Sequence, residues 1–295
     1  MVGLATVAFV ALDVAWVTSP DLAHMGKRVA QQMKGRGAKP VPLRQVAPVM
    51  RRAIVAAEDE RFYSHHGVDA IGIARAIAYD VSHLSTSQGA STITEQVAEL
   101  LYLRAEDNPW EKVREGVVAV RLESDYSKAQ ILDAYLNTVG FGPHADGIAA
   151  ATRRYFGVPP SRLDLAQASL LAGLPQDPAA YDPFRHHVDA RQRQAEVLRS
   201  MIRDNLTTTS KARAAARRPL RLAHGPPLAP LRSPDLVPEP ALAAVQLAGG
   251  LALCAAAITL LALAWRRRLG PVPLAFCWLL ILAGALLAAG SVRAA

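Results

Sequence analysis

AAEDERFYSHHGVDA, residues 56–70, decides how this 295-residue chain is read. Upstream of it, Val46, Met50, Ile54 and Ala57 stand at helical spacing and deliver Glu58 and Asp59 to the C-terminal end of a helix. Unpaired carbonyls at that end make a carboxylate less comfortable than at the start, so an acid pair there calls for a further reason. Adjacent His65 and His66 cannot easily face one ion from a regular helix, and no second His/Cys cluster stands at ligand spacing, which argues against zinc. Phe62 and Tyr63 read about equally as core or groove wall and as a substrate platform, and Gly67 as a turn.

Working outward, the chain from about residue 43 to 216 reads as successive helices with almost no strand signal and no internal repeat. Asp69 begins a helix through Arg75 and Ile77. Ser91 or Thr92 caps the next, with Ile93, Val97 and Leu101 on one side and Thr92, Gln96 and Glu99 along another. Thr92 and Glu95 have the spacing of a capping box. Trp110, Val113, Val117 and Val120 are expected as the apolar stripe of a further helix, with Lys112 and Glu115 on a separate stripe. ILDAYLN, GIAAATRRYFG and LAQASLLAGL read as small-residue helices, and PQDPAAYDPF as turns.

The ends differ in character. Residues 1–20 read as an N-terminal membrane anchor, apolar through Val17 except for Asp13. No charge occurs from Ala241 to Trp265 or from Leu269 to Val292, and each run exceeds the roughly 20 apolar residues a spanning helix requires. A transmembrane hairpin over 241–292 is therefore expected, and Arg266, Arg267 and Arg268 in its turn favour the cytoplasmic side. That orientation puts the intervening domain outside. Residues 217–240, with seven prolines from Pro219 onward, read as an extended, solvated Pro/Arg-rich linker. The net charge of +8 suits anionic lipid headgroups or phosphate-bearing substrates, and no motif supports nucleic acid.

AAEDERFYSHHGVD, GASTITEQ, EKVRE with RLESDYSKAQILDAYLNTVGFG, and GIAAATRRYFG with LDLAQASLLAGLPQDPAAYDP together resemble, in order and spacing, the motif series of the family 51 glycosyltransferases. These are the peptidoglycan polymerases found alone or joined to a penicillin-binding transpeptidase. The resemblance spans about Val46 to Met201. It implies a mainly α, lysozyme-like domain on the outer face of the bacterial cytoplasmic membrane, joining lipid II units with undecaprenyl pyrophosphate leaving.

That resemblance places Glu58 as general base and Glu115 as the residue that orients the pyrophosphate or its metal. It implies a substrate-binding set of Asp59, Phe62, His65, Ser91, Thr92, Gln96, Arg104 and Lys112, in which Asp59 and His65 support Glu58. The chain departs from the family pattern at two cationic positions, now Glu99 and Glu111. Reversing a charge about 5 Å from a pyrophosphate changes the interaction by roughly 3 kcal/mol per pair at an effective dielectric near 20. Arg104, Lys112 and Arg114 are possible compensations, as is Mg²⁺ or Mn²⁺ held by Glu115. Glu111 reads equally as a helix-surface pair with Arg114. Arg75 matches a family arginine, and Asn137, Tyr155 and Phe156 read mainly as packing.

Three functions remain open on these residues. The first is polymerisation of lipid II into glycan strands. The second is a weakened protein that binds lipid II or scaffolds other cell-wall synthesis proteins. The third, a lysozyme-like hydrolase, needs a second carboxylate across a groove.

Overall fold

The computed structural model describes residues 11–73, 91–103, 108–224, 227–231 and 236. The chain divides into two units, and Val10–Val68 with Ser91–Pro238 make the larger one. Of the other unit only residues 69–73 are described, where a helix begins at residue 70 and Asp69 accepts from the backbone N–H of Ile71.

The larger unit is helical: α1 Met25–Gly35, α2 Pro48–Glu58, α3 Ile93–Tyr102, α4 Pro109–Asp125, α5 Lys128–Thr138, α6 Ile148–Phe156, α7 Leu165–Ala172, α8 His187–Arg203 and α9 Thr209–Arg217. Pairing among the described residues outside these helices is limited to isolated β-bridges. Local sequence sets most helix starts. Thr92 with Glu95, Ser127 with Gln130 and Asp164 with Gln167 form complete capping boxes at α3, α5 and α7. Asn108 and Thr208 cap α4 and α9. α6 stops at Gly157 in the left-handed conformation.

Two packed groups result. α2 lies against α7 and α8, with α9 against both of those, while α3 lies against α4 and α5 and α1 covers α5. Phe62, Met50, Ile54, Ile93, Leu122, Tyr135, Phe141 and Tyr155 are fully buried in one continuous core. The chain from Asp59 to Val68 ties the groups together. Gly67 adopts φ +96° where a Cβ would stand 2.6 Å from the Val120 nitrogen, so this turn presses its backbone onto α4.

Several sequence expectations are revised. α1 has no counterpart in them, although Met25, Val29 and Met33 form its buried stripe at intervals of four. The expected apolar stripe of α4 holds at buried Val117 and half-buried Val113 but fails at Trp110 and Val120. Its buried positions are Glu111, Glu115, Val118 and Leu122, together with Val117 and Ala119, while Trp110 and Val120 are 38% and 41% exposed. Two glutamates occupy the buried face, so hydrophobic spacing points elsewhere.

The stretch after α9 is not an extended solvated strap where it is described. Leu220 and Leu228 are buried and exchange backbone hydrogen bonds, and Ala223 donates to the Tyr155 carbonyl at the end of α6. Arg218 pairs with Asp164, and buried Arg191 donates to the carbonyls of Ala216 and Arg218. Burial lowers the Arg191 guanidinium to about 10, and these last-turn carbonyls offset the cost of placing the charge there.

The expected hairpin at 241–292 lies outside the described residues. The N-terminal anchor is described only from residue 11, where residues 11–17 are helical and Leu12, Val14, Trp16 and Val17 are exposed. No helix among the described residues is long and apolar enough to cross a membrane.

Candidate active site

Glu58 ends α2, and its side chain meets α3 and α5. Its Oε2 accepts a hydrogen bond from Gln96 Nε2 at 3.0 Å, and Gln96 Oε1 accepts from the Tyr135 hydroxyl at 3.1 Å. The other carboxylate oxygen, Oε1, is enclosed and has no hydrogen-bond partner among the described residues. Burial pushes the Glu58 carboxyl above its ordinary range, opposed in part by Gln96, Arg193 and Tyr135 and reinforced by Asp59. A carboxylate raised toward neutrality, with one fixed oxygen and one unclaimed, suits proton abstraction.

Asp59 follows at the helix C-cap and turns away from Glu58. Its carboxylate accepts from the Ile93 N–H at the start of α3, at 3.0 Å, and faces His65 Nε2 at 3.0 and 3.1 Å. His65 Nδ1 lies 3.7 Å from Glu123, which also accepts from Lys128 at 2.7 Å and Thr94 at 2.6 Å. Lys128 stands 4.5 Å over the fully buried Phe62 ring. This network of charges and hydroxyl is therefore closed on itself and holds the loop after α2 against α3 and α5.

Near the start of α4, Lys112 Nζ donates to Glu115 Oε2 at 2.7 Å. The Lys112 side chain is 55% exposed, whereas that of Glu115 is 6% exposed. Partial burial of Lys112 opposes its charge, but Glu115, Glu99 and Glu95 outweigh this and raise its pKa. Glu95 completes the Thr92 cap, and burial raises its carboxyl. Glu99 thus joins the acids around Lys112. Glu111 does pair with Arg114, at 2.8 Å, but as a buried residue rather than at the surface.

The structure brings Glu58 and Gln96 together, and it gathers Lys112, Glu115 and Glu99. Four residues of the substrate-binding set are buried and have partners within the fold, as supports for Glu58 and packing would: Phe62 in the core, Asp59 and His65 with each other, and Thr92 between Gly67 and Glu95. They hold the site from behind. Ser91 is partly exposed, His66 exposed, and Arg75 and Arg104 lie outside the described residues. Asn137 pins the chain before α2 by bonding both backbone groups of Val41, and Tyr155 donates to the Phe141 carbonyl. Tyr135, Glu123, Lys128 and Arg193 were not legible as site residues. The available signal was the charged pair Glu123 and Lys128 flanking a helix break, beside a motif already suspected.

For Mg²⁺ or Mn²⁺, the described residues do not fit. Lys112 takes Glu115 Oε2, and no three His, Cys, Asp or Glu side chains among the described residues converge to hold an ion.

The profile of the family described as Transglycosylase matches residues 25–202. Penicillin-binding protein 2D of Bacillus subtilis is 40% identical over 199 residues, covering 67% of this chain and 29% of that protein. Penicillin-binding protein 1A of Neisseria lactamica is 42% identical over 160 residues, covering 54% and 20%. This chain therefore spans less than a third of the length of these relatives. A crystal structure of penicillin-binding protein 1A from Haemophilus influenzae aligns at 23% identity and TM-score 0.31, over 44% of this chain and 16% of that one.

Proposed function

Because the chain belongs to the transglycosylase family through residues 25–202, we propose that it is an inverting peptidoglycan glycosyltransferase that polymerises lipid II into glycan strands. Glu58 is its general base. The observation that carries this reading is the partly buried Glu58 carboxylate, raised in pKa, anchored through Oε2 and without a hydrogen-bond partner among the described residues at Oε1. As the acceptor sugar's 4-hydroxyl attacks the donor's anomeric carbon, its proton passes to Glu58. The new C–O bond forms as the bond to undecaprenyl pyrophosphate breaks, and the leaving group carries away the electron pair. Lys112, held by Glu115 yet largely exposed, supplies positive charge where negative charge develops on the pyrophosphate. The membrane segments read from the sequence would keep the domain on the outer face of the cytoplasmic membrane, where lipid II is presented.

A second reading, a lipid II-binding or scaffolding protein of weakened turnover, is favoured by Glu99, whose charge faces Lys112 and competes with a phosphate for it. Polymerisation of lipid II by the purified chain, with Mg²⁺ and with chelator, beside Glu58→Gln, separates the two. Product from the parent and a loss of about 10²-fold or more in the variant support catalysis by Glu58. Product that persists unchanged in the variant sinks that assignment, and precursor binding without product selects the second reading.

A further inference from the structure

The Gln96 side chain can face either way by rotation, and the two orientations have opposite consequences for Glu58. A carboxylate oxygen only accepts, so an amide that turns its own oxygen toward Oε2 offers no bond and repels the charged form. Two neighbours therefore decide the orientation. Glu58 demands Nε2 on its side, and on the other side the Tyr135 hydroxyl donates to Oε1 at 3.1 Å. Tyr135 is fully buried, and burial first, then the charge of Glu58, a direct hydrogen-bonding interaction with Glu58 and the charge of Asp59 raise its phenol well above the ordinary range, so its proton stays in place to be donated.

We propose that Tyr135 is a positioning residue for Glu58, acting through the Gln96 amide: its hydroxyl fixes which way the amide faces, commits Glu58 Oε2 to a hydrogen bond and leaves Oε1 to take the proton. The chemical identity of that proton rests on the glycosyltransferase reading, whereas the orientation rests on geometry alone. The groups acting on Glu58 are Gln96 from α3, Tyr135 from α5, Arg193 from α8 and adjacent Asp59. Of these, Tyr135 and Gln96 form the chain that can turn without moving the backbone. Losing the Tyr135 hydroxyl removes the donor to Gln96 Oε1 found among the described residues, and a turned amide favours the protonated form of Glu58.

Tyr135→Phe keeps the buried ring and removes only the hydroxyl. In lipid II polymerisation by the full chain, kcat is expected to fall about 10- to 100-fold, KM to change by less than about twofold, and the acid limb of the pH profile to move to higher pH. Gln96→Met should reproduce most of the loss, and Tyr135→Phe should cost clearly less when added to Gln96→Met than it does alone, because the hydroxyl then has no amide to hold and acts on Glu58 only by its direct interaction. Additive losses overturn the proposal, as does a Tyr135→Phe profile that superimposes on the parent.

If the parent makes no polymer, the enzymatic reading fails and the orientation is judged by the titration of Glu58, read as its carboxyl infrared band after subtracting Glu58→Gln. That midpoint rises in Tyr135→Phe if the proposal holds, and an unchanged midpoint overturns it. Should Tyr135→Phe not fold, 3,5-difluorotyrosine at position 135 retains the hydroxyl and strengthens it as a donor. The midpoint then moves to lower pH, and no movement overturns the proposal.

Discussion

Glu58 works against the stability of the fold that holds it. Burial raises its carboxyl above the ordinary glutamate value of 4.5, so the folded state holds the proton more tightly than the unfolded chain does. Stability is then lost as pH climbs from about the unfolded value through the folded one, the reverse of a salt-bridged carboxylate. Glu58→Gln lacks this loss. Its unfolding free energy relative to the parent should grow between pH 4 and pH 8 in urea titrations, and a flat difference would mean the carboxylate is not desolvated. Gly67 belongs to the same scale. A Cβ there meets the backbone of Ala119 and Val120 within 2.8 Å, so Gly67→Ala should destabilise by several kcal/mol and lower the melting temperature sharply. The sequence marked both residues because their chemistry and conformation are local. The partners of Glu58 were less visible, since Tyr135 and Arg193 come from helices 77 and 135 positions downstream, and although Tyr135 lies in the ILDAYLN stretch of the motif series, spacing along the chain gave it no role beside Glu58.

At the scale of elements, α3 and α4 divide legible from illegible. The α3 start was readable because a capping box is written in consecutive residues, and Thr92 adds a bond to the Gly67 carbonyl. Thr92→Ala should cost about 1–2 kcal/mol by loss of the cap, measured by denaturant unfolding, with a further decrement from the loop it releases. α4 misled because its inward face carries Glu111 and Glu115 and its outward face Trp110 and Val120. Periodicity finds the inward face only when that face is apolar. Charge reversal at Glu99 tests what the acids around Lys112 do. If a pyrophosphate binds beside Lys112, Glu99→Lys should raise polymerisation about tenfold or more at low salt, and the gain should shrink as salt screens it. An unchanged rate would place the leaving group away from this cluster.

For the molecule as a whole, the segment after α9 decides whether the domain ends at residue 216 or continues. Its prolines suggested an extended linker, yet Leu220 and Leu228 are buried and the chain bonds back to α6 and α9. Leu220→Ala should therefore cost about 2–5 kcal/mol, as for other buried leucines, whereas a solvated linker position would tolerate the change within about 0.5 kcal/mol. Thermal unfolding of the full chain distinguishes them. Proline density signals a chain that avoids regular structure, and says nothing of whether that chain is laid on a surface.

By itself the sequence determined the helical class, the capped start of α3, the acid pair at the end of α2 and the family, because each depends on residues near one another or on a motif order that survives as text. Only the tertiary structure decided which oxygen of Glu58 is held by Gln96, that Asp59 pairs with His65, which in turn lies beside Glu123 and Lys128, and that Glu99 shares the field of Lys112. The physical reason is the same in each case. A hydrogen bond or a charge interaction falls off over a few ångströms in space, and the packing of distant helices, rather than any spacing along the chain, sets those few ångströms.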